Sequence, residues 1–330
     1  MPRDISPDSL LRSAPLRAAV TQTSIPAKGW FLLILLSSIW GGSFLCNRIA
    51  LAEVPVFTMV ALRVGLAALA LWLVLALRGV RPPRDLRLWG KFFIMGLFNN
   101  ALPFSLIIWA QHRIDSGLAG ILNASTALFT VLVAALLLAD ERLTLRKGTG
   151  VMLGLIGVTI AIGPAALTNL NLGSLSQLAI LGSSLSYACI AVYSRGAMKG
   201  VPPLVAAAGM MTGASVIMIP AALITEGVPS FDWSLPVWAA VLWLALGASA
   251  LAFVLLYRTL ALVGAGNMSL TTLMAAPIAI LLGWAVYGEA LAPRVFAGFF
   301  VLVAGLLVLD GKLIARVMRR KPRDAGAGAE

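Results

Sequence analysis

Long apolar runs alternate with short polar breaks from Trp30 to Leu309. A helix that crosses a bilayer needs about 20 mostly apolar residues. Ten runs reach or approach that length: 30–47, 56–77, 89–109, 116–138, 147–162, 174–193, 203–225, 235–257, 265–287 and 294–309. The fifth and tenth are the shortest. The breaks carry helix terminators and charge, as in Arg78-Gly79, Arg81-Pro82-Pro83-Arg84, Asp140-Glu141-Arg142 and Pro202-Pro203. Transmembrane strands would alternate in segments of roughly ten residues. These runs are continuously apolar and about twice as long, and a helix satisfies every backbone amide internally. The pattern predicts an all-α membrane protein of ten transmembrane helices.

Residues 1–28 are polar and basic with four prolines, which predicts a disordered tail. A signal peptide would place a small-residue cleavage site after the first apolar run. Trp40, Asn47 and Arg48 stand there instead, so the first helix is read as uncleaved. Composition agrees with a lipid solvent: 60% of the 330 residues are hydrophobic and 12% charged, against roughly 25% charged in soluble domains. The net charge of +12 is carried in short loops, which points to topology and away from nucleic acid. With the N-terminus cytoplasmic, 21 of the 25 Lys and Arg fall on the inner side, three on the outer side (Arg48, Arg113, Arg294), and Arg63 inside a span. By the positive-inside bias both termini are expected in the cytoplasm, the last as a basic tail over 312–330. Two cysteines, Cys46 and Cys189, and one histidine, His112, leave no metal-ligand pattern, so neither metal nor cofactor is expected.

Two stretches 148 residues apart are alike. ADERLTLRKGTGVMLGLIGV, from Ala139, matches YGEALAPRVFAGFFVLVAGL, from Tyr287, at Glu141/Glu289, Leu143/Leu291, Arg146/Arg294, Gly150/Gly298 and Gly157/Gly305. Five runs lie in each half, over 29–167 and 172–311. An odd number of spans per copy inserts the copies in opposite senses. Such an inverted five-plus-five repeat places a substrate site at the interface of the halves, near the midplane.

The chain resembles the EamA-type members of the drug/metabolite transporter superfamily. The resemblance is carried by SSIWGGSF at 37–44, by Leu62-Arg63, by Ala276-Pro277 leading into Tyr287-Gly288-Glu289, and by the glycine-rich spans after Glu141 and Glu289. It covers nearly all of 30–309. It implies ten helices in an inverted repeat, a central cavity, and export of small metabolites such as amino acids across a bacterial cytoplasmic membrane. One departure is that the family's proline in the fourth span is Phe129 here, while Pro277 is kept in the ninth. The two halves are therefore expected to bend differently.

Intramembrane polar residues are the candidates for substrate contact. Arg63 costs about 2.5–3.5 kcal/mol to insert. The leucine, valine and phenylalanine side chains of its span return about 0.3–0.6 kcal/mol each, so the helix still inserts. Arg63 either faces the bundle and binds an anionic group, or pairs with Glu53 or a carbonyl near the outer surface, or snorkels. Asn99 and Asn100 must face protein or a wet cavity, and Pro103 is expected to kink their helix. Asn123, Ser125 and Thr126 open the fourth span. Their counterparts by the repeat are Thr271, Leu273 and Met274, with Asn267, Ser269 and Thr272 nearby. These groups suit recognition of amino or carboxyl groups, or else simply bond their own helices. Trp40 and Tyr187 are expected at the cavity, whereas Trp109, Tyr193, Tyr257 and Tyr287 fall near span ends, where aromatic belts form. Gly150, Gly154 and Gly157 form a stripe that suits close helix packing. Glu141 and Glu289 sit at span ends and suit helix capping, which leaves no evident proton or sodium relay.

A secondary transporter therefore fits best, with a small molecule and lipids as its partners and the oligomeric state open. No GxxxxGK[ST] loop is present to bind nucleotide. A membrane-embedded lipid-modifying enzyme would need clustered Asp, Glu or His, and a channel would need a filter formed by oligomerisation. Few buried charges are available, so neutral or amphipathic metabolites are the expected cargo.

Overall fold

The computed structural model describes residues 26–114, 116–137, 145–162, 172–263, 271, 274–275, 278–279, 282–288 and 292–310. Among them every regular element is helical. The helices are α1 (Ala27–Ala50), α2 (Val56–Leu77), α3 (Leu86–Gly96), α4 (Leu102–Gln111), α5 (Ser116–Ala124), α6 (Thr126–Leu137), α7 (Leu145–Ile162), α8 (Leu172–Ala197), α9 (Pro203–Thr225), α10 (Leu235–Leu242), α11 (Ala252–Val263) and α12 (Pro293–Asp310). A π-helical segment, Leu97–Ala101, joins α3 to α4, and a second, Trp243–Leu251, joins α10 to α11. Seven stretches of the described residues are long and apolar enough to cross a membrane; α7 and α12, at 18 residues each, are not among them. About half of the ninth predicted run, 265–287, lies outside the described residues, as do Glu141 and Glu289. Leu69, Leu73, Leu136 and Phe300 are exposed on the bundle surface, as a lipid-facing side requires.

Pro103 explains the first π segment. It has no N–H, so the helix cannot continue its ladder through it. The chain widens by one residue instead, and the Leu102 N–H reaches back to the Leu97 carbonyl. The Phe98 carbonyl is left with neither an i+4 nor an i+5 backbone donor. The Ser186 hydroxyl of α8 fills that gap at 2.7 Å. The expected kink thus takes the form of a π-bulge. The second π segment spans the positions 148 residues further on, with the Ala252 N–H reaching back to Gly247. There the Trp40 indole of α1 donates to the Ala248 carbonyl at 3.3 Å. The exchange is reciprocal: a helix of each half caps the bulge of the other.

Glycines bring backbones together at two crossings. A Cβ built on Gly157 of α7 would lie 2.5 Å from the Leu302 nitrogen and 2.7 Å from the Gly298 oxygen of α12. A Cβ on Gly305 would lie 2.6 Å from the Gly154 nitrogen and 2.7 Å from the Gly150 oxygen. Later residues of one helix meet earlier residues of the other, so α7 and α12 run antiparallel. Each contact is also the 148-residue image of the other, as in an isologous interface. The packing role expected of this glycine stripe is what the structure has. At the second crossing Gly96 abuts the backbone of Met210 and Gly213, and a Cβ on Gly213 would lie 2.7 Å from the Phe92 oxygen. This lets α3 lie against α9, which also packs along α2.

The fourth predicted span is broken at Ser125, between α5 and α6. The Ser125 carbonyl accepts from both Leu128 and Phe129, at 2.9 and 3.0 Å. A proline at 129 would lack the second of these bonds. Pro277, its counterpart, lies outside the described residues.

Two carboxylates cap helices in trans. Pro55 stands at the N-cap of α2 and offers no side-chain acceptor. Glu226, just past α9, takes that role: its oxygens accept from the Phe57 and Thr58 amides at 2.9 and 2.7 Å and from the Thr58 hydroxyl at 2.8 Å. Glu53 accepts from the Ser234 amide at 2.7 Å, and hydrogen bonding to Ser234 holds its carboxyl below the usual range. Replacing Glu226 by alanine strands two helix N–H groups that bonded a charged acceptor. The expected loss is about 2 kcal/mol, seen as a lower unfolding midpoint in detergent, with Glu226→Gln intermediate.

Candidate functional site

The two bulges face one cavity of about 310 Å³. Seven of the nine nominated residues line it: Trp40, Arg63, Asn99, Asn100, Asn123, Thr126 and Tyr187. Thr271 is fully buried with no hydrogen-bond partner for its hydroxyl, but it is not on this wall. Asn267 lies outside the described residues, as do Ser269, Thr272 and Leu273. Trp109, Tyr193 and Tyr287 do not reach the cavity; the Tyr257 side chain lies outside the description.

Arg63 neither snorkels nor pairs with Glu53. It is 5% exposed and points inward. Its Nε donates to the Ser249 hydroxyl on the second bulge at 3.0 Å, and its guanidinium carbon lies 3.7 Å above the centre of the Phe104 ring. Glu53 is occupied by Ser234. The span absorbs the cation because it turns the charge away from lipid, onto a hydroxyl and an aromatic face.

The bulge separates the two adjacent amides. Asn99 donates to the Met210 sulfur at 3.1 Å and so ties its helix to α9. Asn100 is fully buried on the cavity wall, and neither its Oδ1 nor its Nδ2 has a partner. Thr126 bonds the Asn123 carbonyl at 2.7 Å, so its hydroxyl spans the break between α5 and α6, while Asn123 Oδ1 stays unpartnered.

Asn47, and Gln111 among the polar residues of the third predicted span, are not among the nominated residues. Asn47, a buried residue of α1, lines the cavity and donates to Gln111 Oε1 at 2.9 Å. Gln111 Nε2 donates in turn to the Phe44 carbonyl at 2.8 Å. Gln111 also lines a second pocket of about 190 Å³ with Arg48, Leu51, Ala52 and His112. Partial burial, and then the neighbouring Arg113, lower the affinity of His112 for a proton. The remaining cavity wall is mostly apolar, with Phe44, Phe104, Ile107, Phe253 and Leu256, and adds the hydroxyls of Ser43 and Thr130. Among the described residues no group of three or more His, Cys, Asp or Glu is placed to hold a metal.

A lipid-facing helical bundle that closes on a mostly apolar chamber, with a few convergent amides and a guanidinium, has the architecture of a membrane transporter. Comparison with known proteins reaches the same class. The profile of the EamA-like transporter family matches residues 27–163 and again 174–309. The chain belongs to that family. It is 28% identical over 287 residues to the "Uncharacterized inner membrane transporter YedA" of Escherichia coli (strain K12), covering 86% of this chain and 90% of that one. It is 20% identical over 276 residues to the "Uncharacterized transporter YoaV" of Bacillus subtilis (strain 168), covering 84% and 94%. A solved crystal structure, 21% identical, superposes with a TM-score of 0.61 over 88% of this chain and 98% of its own, which supports the fold.

Proposed function

We propose that the chain is a secondary transporter that exports small amphipathic metabolites across the bacterial cytoplasmic membrane by alternating access. Ten spans in an inverted five-plus-five repeat would carry it, with both termini in the cytoplasm. The observation behind this reading is the reciprocal capping of two π-bulges 148 residues apart around one cavity. Bulges of this kind concentrate at functional sites. A pseudo-twofold arrangement about a central chamber is also what rocking of one half against the other needs. The antiparallel, self-complementary crossing of α7 and α12 supports opposite insertion of the halves. The distribution of Lys and Arg supports the placement of the termini, and the named relatives support the membrane.

Counterflow in proteoliposomes tests this directly. Vesicles loaded with a metabolite extract should accumulate a labelled component against its gradient, saturably, and only when the protein is present. Conductance without saturation would mark a channel, and chemical conversion of the label would mark an enzyme.

A further inference from the structure

Arg63 is the one charged side chain on the cavity wall among the described residues. Its contacts there are neutral, namely the Ser249 hydroxyl and the Phe104 ring. A guanidinium has five N–H donors, and no described residue accepts from its two terminal nitrogens. The two carboxylates beside the N-terminus of α2, Glu53 and Glu226, are spent on helix caps. A buried cation without a counter-ion is costly, and an anion brought to it restores the balance.

A second observation points to the same place. Asn100, fully buried on the same wall, presents both an unused donor and an unused acceptor, and Asn47 and Asn123 each present an unused acceptor. Such groups persist in a protein interior when something else completes them. No described carboxylate faces the chamber, so its described wall offers an ammonium group no counter-charge.

We propose that the chamber binds organic monoanions. A carboxylate would sit on the free fork of Arg63 beside Asn100 Nδ2, with an apolar body along Trp40, Phe44 and Phe104. A planar guanidinium matches a carboxylate through two parallel bonds. The proposal narrows the expected neutral or amphipathic cargo to amphipathic anions, because one uncompensated charge decides more than the average. The proposal refines the transporter reading but concerns binding, so it is testable without transport.

The test uses the purified full-length chain and three probes that share a body and differ in charge: phenylacetate, phenylacetamide and 2-phenylethylamine, near pH 7. A ligand that binds the folded state raises the unfolding midpoint with the logarithm of its concentration. Phenylacetate should bind about tenfold more tightly than phenylacetamide, and the amine should give no shift. Arg63→Gln should erase the difference between acid and amide, whereas Arg63→Lys should keep part of it. Ser249→Ala removes the anchoring bond but keeps the charge, so it should still prefer the acid. Equal shifts from acid and amide, stabilisation by the amine, an acid preference that survives Arg63→Gln, or no shift from phenylacetate would each overturn the proposal. Charge discrimination without counterflow would instead retain the anion site and reject the carrier.

Discussion

Replacing Gly157 by alanine should cost about 1–3 kcal/mol of stability, the range for overpacking a close contact, and Gly305→Ala should cost about the same. The added methyl meets backbone, 2.5 Å from the Leu302 nitrogen in the first case and 2.6 Å from the Gly154 nitrogen in the second. Backbone cannot rotate aside as a side chain does, so the helices must part. In lipid this contact is held by packing, since apolar surface gains nothing by leaving hydrocarbon for protein. Separation therefore forfeits the whole contact. Gly148 is the control. It lies on the same helix with nothing within 4 Å of a built Cβ, and alanine there should be neutral or slightly stabilising through helix propensity. The double variant should fall short of the sum of the two losses, because the first substitution already opens the crossing. Thermal unfolding in one detergent reads all four. Equal midpoints for Gly157→Ala and Gly148→Ala would show that the crossing is not tight.

The seven described spans were legible because length and hydropathy decide them. The glycine stripe of α7 was legible as a packing face because glycines recurred at equal offsets, but that its partner is α12 was not. The chamber was legible only in its polar residues. In water, an alternating pattern separates core from surface. In lipid both sides of a helix are apolar, so Phe104 and Ile107 on the cavity wall look no different from Phe300, which is exposed. Pro103 betrayed the first bulge, though as a kink. The second bulge, WLALGASAL, contains no proline and gave no local sign. The Arg63–Ser249 bond joins residues 186 apart, and no pattern near Arg63 foretells it. Thr271 was nominated as the repeat image of Asn123. It is buried elsewhere, because a twofold relation maps positions, not the side chains that a shared chamber needs.

Replacing Gln111 by alanine should unseal the chamber. Asn47 faces the chamber, Gln111 faces the second pocket, and a single hydrogen bond joins them between the two spaces. Asn47 Oδ1 already lacks a partner, so losing Gln111 leaves its buried amide with no bond. The Phe44 carbonyl would keep its place in the α1 ladder and the Ser116 hydroxyl, at 3.3 Å. Stranding one such group costs about 1–3 kcal/mol. A loss of about 1.4 kcal/mol in the closed form multiplies the open fraction about tenfold. Ser43, buried on the chamber wall one turn before Asn47, reports that fraction as a cysteine. In a chain with Cys46 and Cys189 replaced by alanine, Ser43→Cys should react slowly with a water-soluble maleimide. Adding Gln111→Ala should raise the rate about tenfold, and Gln111→Glu, which keeps an acceptor for Asn47 Nδ2, should raise it less. Purified protein exposes both faces to the reagent, so the result does not depend on which face is cytoplasmic. An unchanged rate would mean that the Asn47–Gln111 bond closes nothing, and the barrier would then have to be sought in the apolar packing of Phe44 and Ile107 against α5.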